Sequence, residues 1–249
     1  MRARRYIVDP NDPRAPSKEI WATLSESERR DVIASLPSEP PRALPPEGDP
    51  HRVPKTSAFE ALGEFFRSRR RRVYLSAELP VYYPGESMFA PDLIAVLDVD
   101  DHARQSWVVS QEGKGLDFGL EINVSGNRKK DFEENVVRYA RLGIPEYFAF
   151  DVSRHRLVGY RLGSAQTYEP IVPQAGRWPS RILELDLALE GDKLRFFCGT
   201  APLLDARELI VQLSTMVDEA VRRAEDEARR AERLADRLRE LGIDPDEIE

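Results

Sequence analysis

The sequence predicts an α/β protein: a mixed central sheet flanked by helices, with a long helix appended at the C-terminal end. Three observations predict it. Val73–Tyr83, Pro91–Val99 and Gly115–Ser125 alternate or run apolar in the manner of strands, and a helical pattern follows the third. Glu146–Val152 and Arg156–Leu162 then form a hairpin pattern. From Asp205 nothing breaks a helix until Gly242.

Residues 1–56 read as an arm lying on the main body. They are rich in proline, and "PSEPPRALPPEGDPHRVP" is a near-continuous breaker segment. Within the arm, Ser17–Leu36 has the pattern of one helical piece, with Ser25 and Glu28 at capping-box spacing. The body spans 57–200. It opens with a helix carrying Phe59, Leu62, Phe65 and Phe66, which ends in the basic run Arg67–Arg72. After the three strands comes an amphipathic helix with Phe132, Val136, Tyr139 and Ala140 on one face, stopped by Gly143. The hairpin follows, and Thr167–Val172 and Lys193–Phe197 supply further strands. Residues 205–241 then form one charged helix. Val217, Val221, Ala224, Ala228, Ala231, Ala235 and Leu238 recur on it at alternating spacings of four and three, a heptad seam. The seam reads either as one face of a solvated long helix or as a coiled coil between subunits; because an alanine-lined stripe needs a partner to be worth keeping, a homodimer is the expectation.

Composition narrows the function. The net charge of −7, from 37 basic and 44 acidic residues in 249, does not advertise a nucleic-acid binder through bulk charge. The single cysteine, Cys198, excludes an internal disulfide and suits a reducing cytosol. No apolar run approaches the roughly 18 residues a membrane span needs, and "MRARRYIVDPNDP" lacks the apolar centre of a signal peptide. The expectation is a soluble cytoplasmic protein.

The informative stretch is Phe118–Asn135, "FGLEINVSGNRKKDFEEN". It alternates, turns at Gly126-Asn127, and runs into Arg128, Lys129 and Lys130 at the start of a helix. Glu121 and Asn123 share one face of the strand, about 6 to 7 Å apart. A carboxylate flanked by apolar neighbours is costly to bury unless something binds it. Asp92 opens a second apolar strand in "APDLIAVLD". Cations at a helix N-terminus are unfavourable by roughly 0.3 to 1 kcal/mol each, so Lys129 and Lys130 answer to something else, such as an anionic ligand. Two carboxylates from adjacent strands make a hard oxygen site for Mg²⁺, with Mn²⁺ as an alternative ion. Glu78 in "SAELPVYY" is a candidate third acid, set against a solvent-facing role. His51 in the breaker segment reads as structural or exposed. His102 and His155 lack partners at zinc-ligand spacing. The five arginines between Arg67 and Arg72 lean towards phosphate contact.

"APDLIAVLD", "LEINVSGNRKKDFEENVVRYARLGIPEYFAFD", the tail "AERLADRLRELGIDPDE", and "GDPH" ahead of a helix together resemble the Uma (type two) family of restriction-endonuclease-like proteins, within the PD-(D/E)xK nuclease superfamily. The resemblance covers roughly residues 45 to 165. It implies a restriction-endonuclease-like fold and a divalent-metal-dependent endonuclease, a hydrolase with Asp92 and Glu121 as metal-binding acids and DNA as substrate. It also implies a lysine two residues after the glutamate or four before Tyr139. Those positions hold Asn123 and Asn135, so Lys130, or Lys129, stands in. Two other readings remain open: a catalytically impaired nuclease-fold module for nucleic-acid binding or protein assembly, and a different two-carboxylate hydrolase with Asp92 and Glu121 as acid and base.

Overall fold

Where the pattern over Ser17–Leu36 predicts one helix, the chain forms two: α1 (Lys18–Thr23) and α2 (Glu26–Ser35). The capping box is the cause. Ser25 Oγ accepts from the Glu28 amide at 3.3 Å, and the Ser25 amide donates to Glu28 Oε2 at 2.8 Å. These bonds begin a helix, so the preceding one must end. This computed structural model describes residues 6–39, 48–124, 128–242 and 244; the turn expected at Gly126-Asn127 lies outside them.

The breaker segment ends sooner than its prolines suggest. Helix α3 runs from Asp49 to Ser68. Pro50 falls in the first turn, where an amide has no intrahelical acceptor to lose. Pro54 lies inside the helix and forfeits one bond, but Ala58, Leu62 and Phe66 anchor the helix in the core. The helical body therefore begins at 49 rather than 57, and His51 and Lys55 become helix residues.

The first predicted strand divides into β1 (Val73–Ser76) and β2 (Val81–Tyr82), because Glu78 between them takes the left-handed conformation at φ 53°. Next come β3 (Leu93–Leu97), β4 (Trp107–Val108), the short α4 (Val109–Glu112) and β5 (Phe118–Asn123). A widened π-helical turn over Lys130–Glu134 leads into α5 (Asn135–Arg141), which Gly143 terminates at φ 77°. Then follow β6 (Glu146–Asp151), β7 (Arg156–Leu162) and β8 (Tyr168–Pro170). These build a six-stranded sheet in the order β1-β3-β5-β6-β7-β8. It is mixed: β5 pairs antiparallel with β3 and parallel with β6. Strand β5 is buried on both faces, so its polar face meets protein, not water.

A second sheet, β12-β11-β10-β9, exceeds the predicted strands. It comprises β9 (Arg177–Ser180), β10 (Leu185–Glu190), β11 (Lys193–Cys198) and β12 (Ala201–Pro202). The alternation of Leu185, Leu187 and Leu189 carries the signal for β10. Leu183, Leu185, Leu187 and Phe196 from this region join Phe118, Leu120 and Ile122 of β5 and the α3 side chains in one core. The other face of the first sheet packs Tyr139, Tyr147, Ile94 and Trp107. Glu146 ties the two sheets together. Its buried carboxylate accepts from Arg161 Nε at 2.9 Å, Ser180 Oγ at 2.5 Å and the Arg181 amide at 3.0 Å.

Contacts divide the chain into two units, Met1–Leu203 and Leu204–Glu249. The second is built on α6 (Ala206–Glu240), a 35-residue helix opened by an Asp205–Glu208 capping box. None of its described residues is buried, and Ile210, Leu213, Val217, Val221 and Leu234 all stand half or more exposed. Among the described residues no helix is long and apolar enough to cross a membrane.

Candidate active site

Asp92 stands one residue ahead of β3. The register Leu93↔Leu120 extends to set Asp92 opposite Glu121. Residues opposed across an antiparallel pair have Cα atoms about 5 Å apart and send their side chains to one face. Both carboxylates are largely withdrawn from bulk water: Asp92 is 8% exposed and Glu121 4%. Both are held. Asp92 Oδ2 accepts from the Ile122 amide at 2.6 Å, and Oδ1 lies 3.2 Å from His51 Nε2 on α3. Glu121 Oε1 accepts from Tyr139 Oη at 2.8 Å and Asn135 Nδ2 at 3.2 Å.

A third carboxylate, Asp131, joins them from the π-helical turn. Its Oδ2 accepts from Asn123 Nδ2 at 2.9 Å, and Oδ1 lies 3.5 Å from Asn135 Nδ2. Tyr147 Oη donates to the Asp131 carbonyl at 2.7 Å and so fixes the turn. The extra residue of a π-turn swings one side chain out of α-helical phase, and here that side chain is the acid. Asn123 and Asn135, at the positions where the resemblance calls for lysine, thus bind two buried carboxylates through neutral amides.

Electrostatics follow from this crowding. Burial, then the charge of Asp92, raises the Glu121 carboxyl well above the usual carboxylate range, with Asp131 adding to the rise. Burial also raises Asp131, against the Asn123 hydrogen bond and the Lys130 charge. Burial and the nearby Glu121 keep the Tyr139 phenol protonated as a donor. Three acids packed this closely favour a cation. The side-chain hydrogen bonds that Glu121 accepts from Tyr139 and Asn135 both fall on Oε1, and the donor set of the two acids is hard oxygen, which suits Mg²⁺. No group of three or more His, Cys, Asp or Glu among the described residues is placed to hold a metal. An ion on Asp92 and Glu121 would therefore complete its shell with water and substrate oxygen, as Mg²⁺ commonly does.

The two candidate lysines part company. Lys130 Nζ lies 3.9 Å from Asp131 Oδ1, and its charge acts on both Glu121 and Asp131. Lys129 is 68% exposed and meets Glu134 at 3.9 Å on the outer side. The Glu78 carboxylate pairs with Lys55. The Arg67–Arg72 run stands apart from the acids. The run closes α3, about 24 Å along the helix from His51 at 1.5 Å per residue. Four of its arginines are engaged locally: Arg67 with Glu64, Arg69 with Cys198, Arg71 with Glu184 and Arg72 with Asp100.

Sequence reasoning missed His51, Asp131, Asn135 and Tyr139 as site residues. His51 was hidden by reading its segment as a loop. Asn135 and Tyr139, four residues apart, share one face of α5, a signal the apolar count passed over; Asp131 joins them from the π-helical turn, which α-helical spacing does not report.

The residues matched by a family model run from 21 to 191, for the family described as "Uma2: Putative restriction endonuclease". No curated protein matches the chain significantly. Among solved structures it is similar to the crystal structure of "a putative nuclease belonging to DUF820" from Anabaena variabilis, at 14% identity and a TM-score of 0.46, over 62% of this chain and 89% of that one. With its model spanning α2, the first sheet and the first two strands of the second, the chain belongs to the Uma2 family of restriction-endonuclease-like proteins.

Proposed function

We propose that this protein is a Mg²⁺-dependent endonuclease that hydrolyses DNA phosphodiester bonds with metal-activated water, Mn²⁺ serving as an alternative ion. The observation that carries the reading is the opposed pair Asp92 and Glu121, buried where two carboxylates disfavour full ionisation without a cation. When bound, the ion would supply Lewis-acid stabilisation of the phosphate and a more acidic water. The chain's own residues do the rest. Asp92 and Glu121 hold the ion; His51, Tyr139, Asn135 and the Ile122 amide hold the carboxylates; Lys130 offers the mobile positive charge that Asn123 and Asn135 lack. Supercoiled plasmid should be nicked with Mg²⁺ and left intact with EDTA. A protein that binds the ion yet never nicks DNA with any divalent metal is the impaired module instead, a reading favoured by the amides at both lysine positions.

Lys130→Met should slow cleavage about 10²- to 10³-fold, the scale for losing one group that stabilises transition-state charge, with metal affinity little changed. Lys129→Met should fall within about twofold of wild type, because its ammonium is solvated. Equal losses, or none, would remove Lys130 from the chemistry.

The exposed apolar face of α6 supports a homodimer through the Val217–Leu238 seam. Sedimentation at micromolar concentration should give a dimer for the wild type and a monomer for the Ala228→Glu, Ala231→Glu double variant. A wild-type monomer would make the seam a solvated face.

A further inference from the structure

We propose that Lys55 is a phosphate-contacting residue of this site, a cation presented by α3 and covered by Glu78 until substrate arrives. The proposal rests on the nuclease reading above. Lys55 follows His51 by one helical turn, so both side chains leave the same face of α3, their Cβ atoms about 6 Å apart. His51 contacts Asp92. The Lys55 side chain is only 11% exposed, whereas that of its partner Glu78 is 55% exposed. Lysine is almost never enclosed to this degree without a partner, and here the enclosed member of the pair is the cation.

Glu78 is unusual in its backbone as well. It holds φ 53° without being glycine, and its amide donates to the carbonyl of Pro91, the residue before Asp92, at 3.1 Å. A left-handed residue costs energy and persists only where its surroundings impose it. The pair is thus tied to Asp92 along two routes, through α3 by His51 and through the chain by Pro91. A phosphate arriving from solvent meets the exposed Glu78 first and takes its place on Lys55. One oxyanion replaces another, so no ammonium is left buried without a counter-charge. This gives the site a cation on its α3 wall to match Lys130 beside α5, where the two positions at which the resemblance calls for lysine hold Asn123 and Asn135.

The test is fluorescence anisotropy with a short fluorescein-labelled DNA duplex in Ca²⁺, titrated with KCl, alongside thermal melting. Lys55→Met should weaken binding and lower the slope of log K against log [salt] by about 1, the signature of one lost phosphate contact. Glu78→Gln should tighten binding, since it removes the competing oxyanion. The Lys55→Met, Glu78→Gln double variant should melt near wild type but still bind weakly with the reduced slope. If both single variants melt lower while duplex affinity and slope stay at wild-type values, the pair is an ordinary structural ion pair and the proposal falls. A wild-type protein that neither binds the duplex nor nicks plasmid with Mg²⁺ fails one step earlier, at the nuclease reading, and takes this proposal with it.

Discussion

Glu121→Gln is expected to abolish DNA cleavage and, at the same time, to raise the melting temperature of the metal-free protein at neutral pH. The two effects share one cause. Glu121 is buried among Asp92 and Asp131, which raises its carboxyl well above 4.5. The folded state therefore holds this proton more tightly than the unfolded chain. Its contribution to stability is fully present below about pH 4.5 and is lost as pH rises through the higher folded value. Glutamine keeps an oxygen for the Tyr139 and Asn135 bonds and carries no charge, so the variant lacks this decline. At neutral pH its metal-free melting temperature should exceed that of wild type, by roughly 2–4 °C for each kcal/mol relieved. Addition of Mg²⁺ should stabilise wild type and leave Glu121→Gln unmoved. Cleavage should drop by about 10³-fold or more, the rate equivalent of several kcal/mol of lost Lewis-acid stabilisation. Asp92→Asn should lose cleavage to the same extent. Melting curves of wild type and Glu121→Gln that run parallel from pH 5 to 8, with and without Mg²⁺, would show that Glu121 holds neither a displaced proton nor an ion.

The second large effect is on folding. Glu146→Ala should destabilise the protein by about 3–5 kcal/mol, the range for removing one partner of a buried ion pair. The carboxylate is 1% exposed and joins β6 to Arg161 of β7 and to Ser180 and Arg181 at the end of β9. Alanine leaves a guanidinium, a hydroxyl and an amide short of an acceptor in the seam between the two sheets. Glu146→Gln restores an oxygen without the charge and should fall between. The urea midpoints of the three proteins decide it. Alanine and glutamine variants that both lie within 1 kcal/mol of wild type would mean that the sheets are joined by apolar packing alone.

What the sequence determined by itself was local in origin. Strands β3 and β5, the hairpin β6–β7, the Gly143 stop and the length of α6 all follow from apolar spacing and breakers within a few residues of each other. Asp92 and Glu121 were legible too, because an acid at an apolar strand carries its own energetic anomaly. The tertiary structure decided the rest, because it depended on partners far apart along the chain. The antiparallel register of β3 on β5 opposes Asp92 and Glu121, which lie 29 positions apart in the sequence. Packing of Ala58, Leu62 and Phe66 carries α3 through Pro54, and only then does His51 reach Asp92 and Lys55 reach Glu78. The π-turn that aims Asp131 inward is held by Tyr147 from β6. The arginine run finds Asp100, Glu184 and Cys198 only once the fold brings them beside it. Periodicity reports which face of an element is buried; which charge meets which is settled by register and packing, and those are properties of the whole fold.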